Sequence, residues 1–157
     1  MLKTKKIALL AITLVFIVMF SCKDKKGTDP LTPEEQRLVD LVGSTGITYT
    51  ASAITFEGSP ATGFDNFSLT LRGNETSKTY STLDGDPVFS ASGTWDFNGT
   101  NLNQIIIDSN TSNVFNITSF DATAGTFTIT VNFVANGGVA AGTASTNGTY
   151  VFNLVKQ

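Results

Sequence analysis

A chain of 157 residues has room for one domain. It carries no histidine and a single cysteine, which excludes imidazole bases and metal ligands, Cys–His dyads and intrachain disulfides. Charge is split along the chain. Six of the ten basic residues precede residue 27, and from Glu34 onward four cations face eleven carboxylates, a net charge of −7 that disfavours nucleic acid and gives no basic patch for anionic lipid.

The N-terminus reads as an address. Lys3, Lys5 and Lys6 precede an apolar run from Ile7 to Phe20, and Ser21-Cys22 follows at once. That run is 14 residues long, short of the roughly 20 that span a bilayer as a helix and suited to an export signal. A small residue before a cysteine is what lipoprotein signal peptidase requires, so residues 1–21 are expected to be removed and Cys22 to be acylated. Two or three acyl chains hold a protein stably on a membrane where one does not. Residues 22–32 are charged, contain Gly27 and Pro30 and lack apolar periodicity, as expected of a solvated tether. Lys23, where aspartate would favour inner-membrane retention, points to the outer membrane; the sequence leaves its face open.

Residues 33–157 form the domain. Thr32-Pro33-Glu34-Glu35 is a helix start: Thr32 and Glu35 can cap each other's amides, and Pro33 sits where a missing donor costs nothing. Leu38, Leu41 and Val42 share one face and Gly43 stops the element, so the predicted helix runs from Pro33 to Val42. Strands are expected thereafter. A run from Tyr49 to Phe56 ends at Glu57-Gly58-Ser59-Pro60. Phe67, Leu69 and Leu71 alternate with polar residues, and a run from Thr76 to Thr82 closes at Asp84-Gly85-Asp86-Pro87. Val88 to Phe97 carries Phe89, Ala91, Gly93, Trp95 and Phe97 on one parity, before the hairpin signal Asn98-Gly99. Ile105 to Ile107 reads as a short buried run, followed by Val114 to Phe120. Phe127, Ile129, Val131 and Phe133 then alternate with Thr and Asn. Ala135 to Gly148 reads as a long loop, and Tyr150, Phe152 and Leu154 share one face of the last strand.

Eight strands at hairpin spacing, apolar on one face and Thr/Asn/Ser on the other, predict an all-β fold: an eight-stranded antiparallel up-and-down barrel preceded by one short helix. A two-sheet β-sandwich shows the same alternation and is the alternative. A signal ending in cysteine, one short helix and about eight strands, with Ser92 to Phe97 reading SGTWDF and Gly148 to Lys156 reading GTYVFNLVK, resemble the Bacteroidetes lipocalin-like lipoproteins. The resemblance implies a calycin-type barrel closed at one end by the helix. The chain departs from true lipocalins in placing Gly93-Thr94-Trp95 on the fourth strand run and no tryptophan on the first, so no lipocalin ligand is carried over.

Candidate sites are few. Asp84 and Asp86 could offer oxygens to calcium, although turn formation accounts for them. Asp96 and Asp108 could make an acid/base pair only if the fold brings them together in a cleft. Asn-x-Ser/Thr at Asn66, Asn74, Asn98, Asn110, Asn116 and Asn147 reflects an Asn- and Thr-rich composition. Trp95, with Phe89, Phe97, Phe127 and Tyr150, could line a pocket for a small apolar or glycan ligand, or simply fill the core. No catalytic constellation, cofactor or metal motif stands out, and the expectation is non-enzymatic. The expected partners are a membrane, through lipid on Cys22, and such a ligand; the alternative is a filled barrel serving a structural or interaction role. The sequence names no protein partner.

Overall fold

The structure, a computed structural model, describes residues 30–135 and 147–157. Cys22, the signal-like segment and most of the loop from Ala135 to Gly148 lie outside them. The helix α1 spans Pro33–Val42. Its start is the capping box read from sequence: the Thr32 hydroxyl accepts from the Glu35 amide, and the Glu35 carboxylate accepts from the Thr32 amide. Leu38, Leu41 and Val42 are its buried residues, and Gly43 ends it.

The strands follow as β1 Ile47–Phe56, β2 Ser59–Pro60, β3 Ser68–Gly73, β4 Lys78–Leu83, β5 Ser92–Asn98, β6 Asn101–Ile107, β7 Val114–Asp121, β8 Thr126–Phe133 and β9 Gly148–Lys156. Neighbours along the chain pair antiparallel from β3 to β9, and β1 pairs with β3 on one side and with β9 on the other. The β1–β9 register runs from Tyr49↔Lys156 to Phe56↔Tyr150, which closes the sheet into an eight-stranded barrel; a sandwich would leave that edge open. Closure needs bent strands, and register shifts occur in β1 between Ala51 and Ala53 and in β7 between Ile117 and Ser119.

Several sequence expectations are corrected. Ser59–Pro60 does not merely break the chain but folds back to pair with Thr55 and Phe56 as the short β2. The fourth barrel strand starts at Ser92, not Val88, and residues 88–91 belong to a loop. Ile105 to Ile107 is not a buried run: Ile105 and Ile107 face in and Ile106 faces out.

The apolar parity fills the interior. Leu41, Leu69, Leu71, Ile105, Phe127, Ile129, Val131 and Phe152 have no solvent-accessible surface. A water molecule can therefore touch none of them, either from outside or from a void within. The outward parity carries Thr, Ser, Asn and Gln, knitted by side-chain bonds such as Asn98–Gln104 at 2.9 Å and Gln104–Asn116 at 2.8 Å. This is the reverse of the outward apolar band of a transmembrane barrel.

Two stretches of wall have little ladder pairing, and each is closed by a side chain. Strands β4 and β5 share three residue pairs, and beside them the Trp95 indole N–H donates to the carbonyls of Arg72 and Thr79, both at 3.1 Å. Strands β6 and β7 also share three pairs. Where they part, Arg37 of α1 donates to the Leu102 carbonyl at 3.3 Å and to Asn103 Oδ1 at 3.1 Å, with its guanidinium 4.4 Å from the Phe120 ring centre. Tyr49 pins α1 from below, its hydroxyl donating to the Leu41 carbonyl at 3.0 Å. The helix thus seals one end of the barrel.

Candidate functional site at the open rim

The two ends of the barrel differ in how the chain turns. At the α1 end the connections are residues 74–77, 99–100 and 122–125. At the other end they are 57–67, with β2 within it, and 84–91, 108–113 and 134–147. Short turns connect strands with little else to offer, whereas long loops on a rigid scaffold are where binding groups sit. Backbone strain follows the same division. Among the described residues, the four non-glycine residues with positive φ, Glu57, Asp84, Asp108 and Ser109, all lie on the long-loop rim.

Loop 84–91 stoppers the rim. The Phe89 amide donates to the Gly85 carbonyl at 2.8 Å, turning the loop inward, and the Phe89 ring lies within 6.3 Å, centre to centre, of Phe67, Tyr80, Phe115 and Phe152. A side chain at Gly85 would come within 2.9 Å of the Phe89 Cβ, so only glycine permits this turn as built. Asn113 is the only buried polar residue among those described, and its side chain completes a strand-like bridge, accepting from the Val134 amide at 2.8 Å and donating to the Val134 carbonyl at 3.0 Å.

Beside the stopper is a pocket of about 220 Å³ lined by Val88, Ile107, Phe115 and Phe133 with Tyr80, Asp108, Asn110 and Asn113. Asp108 is its one charged residue. Its carboxylate accepts from the Tyr80 hydroxyl at 2.8 Å and from the Thr94 amide at 2.7 Å. It occupies space left by Gly93, where a Cβ would stand 2.0 Å from Oδ1. Burial, with the Asp108 hydrogen bond added, pushes the Tyr80 phenol up to about 12. Burial, opposed by the Arg37 charge and aided by that of Asp40, pushes the Tyr49 phenol up to about 12, and burial raises Tyr150 as well.

Those three are the whole tyrosine complement, so alkaline titration has a definite expected course. A phenol whose pKa is raised on folding stabilises the fold fully below its unfolded value of 10, and that stability is lost as pH climbs towards 12. Unfolding should thus begin above pH 10, with phenolate absorbance appearing together with loss of structure. Phenolate forming near pH 10 in protein that remains folded would contradict this burial.

The residues singled out from sequence fall as follows. Trp95, Phe97, Phe127 and Tyr150 are all buried. Trp95 meets Phe97 edge to face at 5.5 Å, Phe127 packs on Tyr49 and Phe120, and Tyr150 packs on Phe56, Phe64 and Phe152. The four are not gathered round one pocket. Trp95 and Phe97 border a groove of about 460 Å³ beside Lys78, Thr94, Asp96 and Ile106. Asp96 and Asp108 are not a pair: Asp96 bonds Lys78 at 2.9 Å on that groove, while Asp108 bonds Tyr80 at the rim. Asp84 accepts from the Asn66 amide at 3.2 Å, and among the described residues no three acidic or sulfur ligands gather as a metal site would. Tyr80, Asn113 and the stopper role of Phe89 were missed. Tyr80 shares parity with Lys78 and Thr82, too polar a trio to mark an inward face.

Fold and rim together define a closed up-and-down barrel with a helix-sealed end and a loop-built end. Comparisons with protein-family models, with curated proteins and with solved structures find no match.

Proposed function

We propose that the chain is an outer-membrane lipoprotein of the Bacteroidetes lipocalin-like kind, acylated on Cys22, whose packed barrel carries the long-loop rim as its interaction surface. The observation that carries this reading is the asymmetry of the barrel ends: every long connection is at one end, and Thr32, where the tether enters the domain, is at the other. A tether joined at the helix end leaves the rim turned away from its own point of attachment. The filled interior supports a scaffold over a carrier that swallows an apolar guest, because the central residues have no surface for such a guest to touch. A non-enzymatic role accords with Asp96 and Asp108 each being held by a separate partner.

The tether is tested by Cys22→Ala. This variant should take up no lipid label and should leave the membrane fraction or accumulate as precursor. Normal labelling of Cys22→Ala would refute acylation at that position and, with it, the outer-membrane assignment.

A further inference from the structure

The rim pocket contains an arrangement that packing alone does not require. Asp108 and Ser109 are consecutive residues with φ of 51° and 59°, a conformation that costs free energy in side-chain-bearing residues. Together they bring a carboxylate back over Gly93, against Tyr80 and the Thr94 amide, at the edge of the rim pocket.

We infer that this pocket binds one neutral sugar ring at the end of a glycan. The inference rests on the rim being the working face and is independent of lipid on Cys22. Size is the first argument. About 220 Å³ falls below the roughly 300–1,000 Å³ of sites for drug-sized molecules, so one ring fits and a lipid does not. Charge is the second. Asp108 is the only ionisable carboxylate on the pocket and no cation lines it, so phosphate, sulfate and carboxylate ligands are repelled. Hydrogen-bonding capacity is the third. After accepting from Tyr80 and Thr94, the Asp108 carboxylate retains lone pairs for hydroxyl donors. Asn110 uses its carbonyl oxygen on the Ser112 amide at 3.0 Å, which leaves its amide hydrogens to donate to a hydroxyl oxygen. A carboxylate that accepts and an amide that donates, both lining one small rim pocket, match adjacent ring hydroxyls.

The test is an amide-shift NMR titration of the full chain in detergent micelles with methyl glycosides of glucose, galactose, mannose and N-acetylglucosamine, and with methylammonium and glucuronate alongside. At least one glycoside should give saturable shifts confined to Tyr80 and residues 108–113. Asp108→Asn should weaken that binding tenfold or more, and Gly93→Ala, which displaces the carboxylate without removing it, should do likewise. Asn110→Ala leaves the barrel wall untouched and should weaken binding even if Asp108→Asn fails to fold. No response to any of the four glycosides, undiminished binding by both Asp108→Asn and Asn110→Ala, or response to methylammonium or glucuronate alone would overturn the inference. A negative result here with Cys22→Ala still released from the membrane would leave the tether reading standing.

Discussion

Trp95→Ala is expected to destabilise the barrel by about 3–5 kcal/mol, the range for deleting a buried aromatic. Trp95 fills space beside Phe97 and its N–H serves two carbonyls where the β4–β5 ladder is short, so truncation leaves both a cavity and the Arg72 and Thr79 carbonyls short of a donor. Folded domains are stable by only about 5–15 kcal/mol, so a denaturant midpoint should register the change plainly. Trp95→Phe separates the two contributions by restoring most of the volume without the donor, and should cost about 1–3 kcal/mol. Because the chain has one tryptophan, its fluorescence reports on this site alone. An emission maximum typical of exposed indole in the native protein would mean that the inward parity of β5 is wrong.

Phe89→Ala should cost a similar amount, about 3–5 kcal/mol, through a different route. Phe89 comes from a loop, and its ring is surrounded by Phe67, Tyr80, Phe115 and Phe152. Its removal opens an apolar hole at the rim end of the interior. Holes lined by such side chains stay dry and accept small apolar molecules. The variant should therefore bind benzene and recover part of its lost stability in its presence, while the natural chain shows no shift in midpoint. A benzene-induced stabilisation of the unmutated protein would show that the interior is already open.

Local signals were read well and non-local ones were not. The helix bounds follow from Thr32, Glu35 and Gly43, all within a few residues of the turns that they cap. Strand β8 follows from an unbroken alternation of four apolar residues, and all four are buried. The reading failed at Phe89 because Phe89, Ala91, Gly93 and Trp95 keep period two straight through a loop boundary. Periodicity does not distinguish a strand residue facing inward from a loop residue dropping into the same core. Ile106 failed for the opposite reason, three isoleucines in a row masking an alternation that the β5 register imposes. The rim pocket has no local signature at all. Tyr80 and Asp108 are 28 residues apart, and the space that lets them meet is the absent side chain of Gly93.

The central claim, a packed barrel on a lipid tether, is tested most directly by native mass spectrometry of the protein extracted in detergent from its own membrane. The predicted mass is that of the chain beginning at Cys22 with its acyl chains covalently attached and no apolar molecule retained at one-to-one stoichiometry. An apolar guest that stays bound one-to-one after gentle release from the micelle would contradict a filled interior, and a chain lacking covalent lipid would contradict the tether.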